Sequence, residues 1–476
     1  MYRMDPSLEM TVERMDAYIK DFKKQELPRL NKLAQYYLGN QKIMRRTAAY
    51  GKPNNRIVHP YGNYIVDINV GYFLGEAITY NISSPAEEND EKASVLRKAA
   101  KAIKTALRKG AEALGIGLLP RLMEINAYND EAAANADLGT DAGIFGIARE
   151  LLYVDEDSNI RFTPLDPRTV VPVLDNTVEN RLLYGIRFWT DQDIITRTKT
   201  EYATVYSRTH ETSYKRTKNG SWTQDGEAKE HFWSEVPINL FSNNRMEIGD
   251  FELVISLIDA YDATQSDSVN DAEAFADAYL ALIGMDLDTD GGEDGAESDG
   301  EKQIRTMKDN RVLIIPEGGD AKWIVKQIND TYLENLKTRI ASEIHKFSKT
   351  PALTDQDFAA NASGVAIKYK LMGLEAMTAQ KERAFRKGLQ RRIELICNML
   401  TVKGTKYNYT DVGMTFKRNV PANLTEIADA LTKVGHILSK ETQVGLLPVD
   451  TTYAEERERM RAEAEDGYSV PLDEEE

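Results

Sequence analysis

The chain has 476 residues, and 42% of them are hydrophobic, which is enough for a sizeable core and excludes a disordered protein. One cysteine, Cys397, excludes an internal disulfide bond and a CxxC metal site, and it indicates a reducing compartment. The formal net charge is −16 at pH 7, and essentially all of it lies in residues 246–301.

This acidic window holds seventeen Asp or Glu residues and no Lys or Arg. Like charges at this density repel one another and do not stabilise a compact monomer. Such a surface is suited to keeping another polyanion from adhering. We therefore expect contact with DNA that slides past rather than binds.

No uninterrupted apolar run approaches the ~18 residues that would suggest a membrane span. The first residues also lack the charged-then-apolar pattern of a signal peptide. These observations predict a soluble, intracellular protein.

The first half of the chain predicts helices followed by strands. Apolar residues recur at helical spacing over the first forty residues, where Pro28 breaks or restarts the helix. Residues 92–109 form another amphipathic pattern, whose remaining faces carry seven Lys or Arg and no acid. Those faces are either a solvated surface or a contact for nucleic acid or an acidic neighbour. From 149 to about 233, apolar runs separated by polar turns predict an antiparallel meander.

The acidic window begins with a predicted helix. It starts at Asp250 and extends to about Asp277, which corresponds to ~42 Å at 1.5 Å per residue. Residues 278–283 continue this helix or form a strand, and periodicity alone does not decide. Farther on, residues 311–315 and 322–326 flank a turn that contains Pro and Gly, which predicts a hairpin.

Two more helices with a loop between them are predicted after the hairpin. The first ends at Thr350–Pro351 and has an apolar stripe of Leu333, Leu336, Ile340, Ile344 and Phe347. A mostly polar loop follows, with one isolated aromatic, Phe358. Residues 364–403 then form a long helix, in which Gly373 and Gly388 are candidate bend points. Its basic residues up to position 392 are Lys368, Lys370, Lys381, Arg383, Arg386, Lys387, Arg391 and Arg392.

The sequence carries no recognisable catalytic motif. There is no phosphate-binding GxxxxGK[ST] pattern, and the five histidines are scattered without HExxH. Cys397 lies in an apolar helical stretch, so we expect a buried structural thiol rather than a nucleophile. We predict no catalytic residues, no cofactor and no enzymatic activity; a site assembled from distant residues stays open as the alternative.

One run matches the calcium-loop pattern D-x-D-x-D-G-x5-E through Asp286, Asp288, Asp290 and Glu297. Its eighth position is Glu293, where paired calcium-binding loops usually carry an apolar residue. The chain has no second copy, and an acidic, glycine-rich segment can match by chance. We expect no structural metal here and keep calcium binding as the alternative.

The acidic helix, the polar loop and the basic long helix indicate a function only when they are considered together in a ring. In a ring, each residue is repeated about the axis. Acids on an inner wall keep DNA from adhering. A loop at the constriction touches the duplex without reading its sequence.

Several runs carry a resemblance to a known family. The most specific are SGVAIKYK at 363–370 with Leu374–Glu375, and SKET at 439–442. The others are 55–57 through 66–67, 71–75, 236–238 with 243–244, 249–252 with 257–261, and 308–313. In one order over nearly the whole chain, these runs are similar to the portal protein family of tailed double-stranded DNA bacteriophages, in its siphovirus-type branch.

The resemblance implies an α+β, mainly helical subunit with wing, stem, clip and crown, which assembles into a ring, usually of twelve subunits, with a central channel. The implied parts are a wing of helices and antiparallel strands (1–248), a stem helix (249–277), a clip with the acidic loop and hairpin (278–329), a second stem helix (330–349), a tunnel loop (350–363), a long wing and crown helix (364–404), and a wing strand with crown helices and an acidic tail (405–476). The strongly acidic clip loop departs from the family pattern.

Two sets of site residues follow. DNA contacts are expected in and just after the tunnel loop, from Gln356, Asp357, Phe358, Asn361 and Lys368. Channel-lining acids are expected on the first stem helix, at Asp259, Asp262, Asp267, Asp271, Glu273 and Asp277.

The resemblance also implies a function. The ring sits at one capsid vertex of the virion, is assembled in the bacterial host cytoplasm, and conducts double-stranded DNA during packaging and ejection without sequence specificity. Implied partners are further copies of the chain, the terminase large subunit, head-completion or adaptor proteins, and the major capsid and scaffolding proteins, with no membrane. Another ring-forming head–tail connector or capsid component, and a DNA-processing enzyme, are the alternatives.

Overall fold

The computed structural model describes residues 2–47, 53–82, 117–217, 220–275, 280–283, 312–315, 330–353, 369–402, 404, 407–419, 428–429, 431–433, 435–446 and 453–465. Helices and strands are mixed, which confirms the α+β class. The α-helices in these ranges are α1 (Val12–Gln25), α2 (Leu27–Tyr37), α3 (Tyr61–Leu74), α4 (Leu118–Tyr128), α5 (Glu131–Phe145), α6 (Ile255–Phe275), α7 (Asp330–Ser348), α8 (Met372–Val402), α9 (Lys440–Leu446) and α10 (Tyr453–Glu465).

The first two helices begin where the local sequence dictates. α1 follows Thr11, whose side chain accepts a hydrogen bond from the backbone N–H of Arg14 at 3.3 Å. Pro28 lies in the first turn of α2, where its missing N–H has no helical partner to lose. The predicted restart of the helix at Pro28 is confirmed.

The strands of the described residues form four sheets. They are β1 (Tyr2–Met4), β2 (Thr79–Ile82), β3 (Ile147–Val154), β4 (Ile160–Leu165), β5 (Val170–Asp175), β6 (Leu182–Gln192), β7 (Lys199–Tyr206), β8 (His210–Thr217), β9 (Thr223–Gln224), β10 (Lys229–Glu230), β11 (Ile238–Ser242), β12 (Leu280–Ile283), β13 (Val312–Ile315) and β14 (Val412–Thr415). The largest sheet has the order β1-β5-β6-β7-β8-β10, with β9 beside β8. The other sheets are β11-β3-β4, β12-β13 and β14-β2.

The predicted strands between 149 and 233 are present, but they do not form one meander. β5 to β8 are antiparallel neighbours in the large sheet, whereas β3 pairs with β4 on one side and with β11 on the other, in a separate sheet. The chain changes sheet at a tight turn after β4, where Asp166 accepts hydrogen bonds from Arg168 N (2.9 Å) and Thr169 N (2.9 Å). The meander was therefore predicted correctly for β5–β8 and wrongly for β3–β4.

Two cores hold the larger part of the chain together. In the first, α1 and α2 cover one face of the large sheet, and Ile258 of α6 and Ile344 of α7 belong to the same buried cluster. In the second, α3, α5 and α8 pack around β3 and β11. A Cβ at Gly388 would lie 2.3 Å from the Phe241 ring, so this glycine lets α8 cross β11 closely. α8 is continuous through Gly388, and the close contact with Phe241 accounts for a glycine at this position.

The chain divides into two compact units. The larger comprises 1–353 and 371–417, and the smaller comprises 354–370 and 418–476. Helices α9 and α10 belong to the smaller unit. Among the described helices, none has both the length and the apolar character that crossing a membrane requires.

The other element predictions hold in part. Residues 280–283 form a strand rather than the end of a helix, and β13 confirms the strand predicted at 311–315. β13 pairs with β12 in parallel. The predicted hairpin partner, 322–326, and the predicted helix at 92–109 lie outside the described residues.

Candidate functional site

α6 and α7 pack against each other and bury one turn of each in the first core. Ile344 is fully buried, and Ile340 is nearly so. Phe347 was predicted in the same stripe but is 56% exposed, because Ser348 takes the inward position at the end of α7. The exposed ring of Phe347 is a correction to the predicted stripe.

The chain leaves α7 through a sharp turn that leads to 350–353, the base of the predicted tunnel loop. Lys349 has a φ of +60°, the left-handed conformation that commonly ends a helix. The backbone carbonyl of Thr350 then accepts a hydrogen bond from His345 Nδ1 at 3.1 Å. Its hydroxyl donates to Asn69 Oδ1 of α3 at 3.2 Å. The carbonyl and the hydroxyl of Thr350 are therefore both fixed by hydrogen bonds.

Tyr64 of α3 holds the next residues. Its hydroxyl donates to the carbonyl of Pro351 and accepts from the N–H of Leu353, both at 3.0 Å. The Tyr64 ring meets His345 edge-on, with 5.7 Å between ring centres. Side chains of α3 and α7 thus fix the backbone of 350–353.

A buried charge pair lies beneath this base. Asp250 accepts hydrogen bonds from the ammonium of Lys381 on α8, from Asn69 Nδ2 at 3.1 Å, and from Asn243 Nδ2 at 2.8 Å. The side chains of Lys381 and Asp250 are only 6% and 1% exposed. Since Asn69 also accepts from Thr350, one hydrogen-bonded path joins α8, the start of α6 and the loop base. Removing one partner from such a buried pair costs about 3–5 kcal/mol.

An extended segment, 55–59, lies along α6 and is hydrogen-bonded to it at every second residue. The alternation matches the helix, because side chains four residues apart lie on one helical face. The three contacts are Asn55 N–H to Asn270 Oδ1 (2.7 Å), Ile57 N–H to Ser266 Oγ (3.0 Å) and His59 N–H to Asp262 Oδ1 (2.9 Å). We call this segment the strap; it fixes the rotation of α6 about its axis.

The strap removes Asp262 from the predicted channel-lining set. Asp262 is fully buried, and burial raises the pKa of its carboxyl against the opposing hydrogen bonds from His59. A side chain enclosed within its own subunit cannot face a channel. The prediction for Asp262 is therefore wrong.

The remaining predicted acids among the described residues lie partly or wholly at the surface. Asp259 accepts from the Tyr36 hydroxyl, Asp267 pairs with Arg46, Glu273 accepts from Asn55 Nδ2, Asp271 is half-buried, and Asp277 lies outside the described residues. The Arg46–Asp267 distance is 2.6 Å, and the Asp267 side chain remains 56% exposed. Glu273 is also exposed. Asp267 and Glu273 thus remain the most accessible carboxylates among the described predicted acids.

The basic residues of the long helix do not form one open cationic face. Lys381 is buried against Asp250, and Arg386 pairs with Glu382 at 2.8 Å. Arg383 and Lys387 are exposed. Charged residues on an amphipathic helix usually form a solvated face. In α8, however, the charge of Lys381 is buried and pairs with Asp250.

Arg392 is the largest fully buried side chain in the described residues. Its guanidinium lies 2.6 Å from Glu150 and 3.4 Å from Glu131, and it covers the Phe162 ring at 4.3 Å. Burial alone would lower the pKa of Arg392, but the two carboxylates outweigh burial and raise it. This arginine is a structural link between α8, α5 and β3.

Several predicted sites lie outside the described residues. These are the DNA-contact residues Gln356, Asp357, Phe358, Asn361 and Lys368, and the calcium candidates Asp286, Asp288, Asp290 and Glu297. Within the ranges that the structure describes, no cluster of His, Cys, Asp or Glu could hold a metal ion. Cys397 is buried as predicted, and burial raises the pKa of its thiol to about 12.

A comparison with protein families decides the assignment. A family model described as "Phage portal protein, SPP1 Gp6-like" matches residues 16–468. The chain belongs to this portal protein family. The family predicted from the sequence is therefore confirmed. The prediction of a bacteriophage head–tail connector is confirmed with it.

Individual relatives agree with this assignment. The chain is 23% identical over 464 residues to the portal protein of Bacillus phage SPP1, covering 91% of this chain and 83% of that protein. It is 22% identical over 404 residues to the portal protein of Clostridium phage phiCD119, covering 81% of this chain and 80% of that protein. A solved chain from "Neck of empty GTA particle computed with C6 symmetry" is similar at 13% identity, over 83% of this chain and 91% of that one, with a TM-score of 0.36. A TM-score that low does not establish a shared fold.

Sequence reasoning missed the residues that hold the loop base, chiefly Tyr64, Asn69 and His345. Asn69 did offer a signal, because it interrupts an apolar run, and a buried amide needs hydrogen-bond partners. Tyr64 and His345 offered none, since each bonds to a backbone carbonyl, of Pro351 and Thr350 respectively, and every residue type carries that group.

Proposed function

We propose that this chain forms the portal ring at one vertex of a phage capsid. The ring conducts double-stranded DNA inward during packaging and outward during ejection, without reading its sequence. It docks the terminase large subunit, which hydrolyses ATP, and later head-completion or adaptor proteins. Assembly takes place in the host cytoplasm with the major capsid and scaffolding proteins. The chain itself is non-enzymatic and uses no cofactor.

In this proposal α6 and α7 are the stem helices, residues 1–248 form the wing, and 278–329 form the clip. Residues 350–363 are the tunnel loop at the narrowest point of the channel. The long helix and the C-terminal helices form the crown. A stoichiometry of twelve is the value that we expect from the family resemblance.

The anchored base of the loop carries the proposal. Thr350, Pro351 and Leu353 are all hydrogen-bonded to α3 or α7, and the buried Lys381–Asp250 pair lies beneath them. A loop that touches a moving duplex bears lateral force. A base tied to two helices keeps the loop in position and passes that force to the wing.

The exposed carboxylates of α6 fit the same function. Asp267 and Glu273 recur around a ring in every subunit, and α6 carries no Lys or Arg. DNA phosphates that pass within a Debye length, about 8 Å at physiological ionic strength, are repelled. Cations on the wall would instead add counterion-release affinity and slow the DNA.

Substitution of Phe358 by Ala tests the proposed DNA contact. We expect less packaged DNA per particle while rings still assemble, as judged by electron microscopy of the purified variant. The matched control is Phe232→Ala, which removes an aromatic that is 55% exposed on the wing. Normal packaging by the Phe358 variant would contradict a contact role for this loop.

A further inference from the structure

The turn between β6 and β7 holds two adjacent isoleucines in solvent. Ile194 and Ile195 are 82% and 92% exposed. Single exposed apolar residues are ordinary, but two neighbours at the tip of a hairpin form a projecting apolar patch. We call it the isoleucine tip.

Hydrogen bonds to Asp193 order the backbone of the isoleucine tip. Asp193 Oδ1 accepts from the N–H groups of Ile195 (2.8 Å) and Thr196 (2.6 Å), and its backbone carbonyl accepts from Arg197 N at 2.9 Å. Arg197 has a φ of +56°, a conformation that a non-glycine residue keeps only when its surroundings impose it. A turn ordered in advance loses little conformational entropy when it binds.

An apolar hollow of about 510 Å³ lies beside β1, on the same sheet. Tyr2 and Tyr18 meet edge-on in its wall, with 5.7 Å between ring centres. Leu8 and Ala17 lie exposed at its mouth. Its charged rim consists of Arg3, Asp5, Arg14 and Asp21. Residues that flank the isoleucine tip likewise carry charges of both signs. Each charge on the rim of the hollow can therefore face an opposite charge beside the tip.

The tip and the hollow lie at different corners of the large sheet. Tyr2 is opposite Val173 of β5, and Val170 is opposite Arg187 of β6. The tip is therefore about ten residues farther along the strands, roughly 34 Å at ~3.4 Å per residue. A chain cannot insert its own tip into its own hollow.

We infer that the isoleucine tip of one subunit inserts into the hollow of a neighbouring copy. The two surfaces are different patches of one chain, so the contact is head-to-tail. Repetition of such a contact closes a ring when the rotation between subunits allows it. This inference rests on the proposed ring and assigns a wing-to-wing interface to it.

A cysteine cross-link tests this interface on the full-length chain. Ile195→Cys and Leu8→Cys are combined and oxidised, and the products are separated by denaturing, non-reducing electrophoresis. Cys397 does not compete, because it is buried. We expect a ladder of covalent oligomers, with each single variant remaining monomeric on the gel. The control pairs Leu8→Cys with Met246→Cys, which is 72% exposed outside the large sheet and should give at least tenfold less product.

Light scattering of the same samples separates the outcomes. Rings without a ladder, or equal ladders from the test and control pairs, overturn the interface and leave the proposed function standing. A chain that stays monomeric overturns both. As a second variant, Ile194→Asp with Ile195→Asp should abolish rings at an unchanged melting temperature, since both side chains are exposed. Unimpaired rings in that variant also overturn the interface.

Discussion

Asp141 is a carboxyl group whose titration contributes to the pH dependence of stability. It lies on α5, and burial together with the nearby Asp166 and Asp137 raises its pKa to about 7, against the opposing charge of Arg168. Between its ordinary pKa and about 7, the folded state binds a proton that the unfolded state has lost. Stability contributed by this group therefore falls as the pH rises through that window.

We expect Asp141→Asn to remove this dependence, because the amide stays neutral. The gain in stability over the wild type should be near zero at pH 4 and should reach the order of a few kcal/mol at pH 8. Thermal unfolding followed across that range measures it, with Asp191→Asn, an exposed acid of β6, as the control. A stability difference that does not grow with pH would show that Asp141 titrates normally.

Ser266 tests the strap at the level of one hydrogen bond. Its hydroxyl is buried and accepts from Ile57 N–H at 3.0 Å. Ser266→Ala leaves that N–H unsatisfied, so the free energy of unfolding should fall by about 1–3 kcal/mol. Ser268→Ala removes only a bond to the Thr264 carbonyl of the same helix and should change it by less than about 0.5 kcal/mol. Equal effects of the two substitutions in urea unfolding would mean that the strap contributes little.

At the scale of elements, the loop base is held by side chains of α3 and α7, and Tyr64 supplies two of the hydrogen bonds. Tyr64→Phe removes both and keeps the ring against His345. We expect faster amide hydrogen exchange at Leu353 and less packaged DNA. Tyr37→Phe is the control, because it removes a hydroxyl that is bonded to the Asp67 side chain of α3 and not to the loop backbone. Unchanged exchange at Leu353 would contradict the role of Tyr64.

Elements that depend on local sequence were predicted well. The spacing of apolar residues together with Pro28 correctly predicted α1 and α2. The apolar stripe with Ile340 and Ile344 correctly predicted α7. Features that depend on contacts between residues distant in sequence could not be predicted from the sequence. Lys381 and Arg392 resemble surface charges in sequence, because their partners Asp250 and Glu150 lie 131 and 242 positions away. The buried role of Asp262 was hidden for the same reason, since its partner is His59.

The division of the strands between two sheets could not be predicted either. The runs before and after Asp166 have the same apolar character, and only the turn at 166–169 redirects the chain. Of the candidate site, the sequence indicated the helix–loop–helix order and the family. It did not indicate which acids of α6 are exposed.

At the scale of the whole molecule, the sign of charge on α6 should govern how fast DNA passes. Replacing Asp267 and Glu273 by Lys should slow packaging at low salt, with recovery as the salt concentration rises. Asp267→Asn with Glu273→Gln controls for the lost contacts to Arg46 and Asn55 and should package faster than the Lys variant. Equal rates for the Lys variant and the wild type at low salt would count against low-friction passage.

Assembly into a ring with an open channel is the central claim, and electron microscopy of the purified full-length chain tests it most directly. We expect closed rings with one continuous axial channel wide enough for duplex DNA, and α6 and α7 beside that channel. Monomers, open filaments or rings without a through-channel would contradict a DNA conduit.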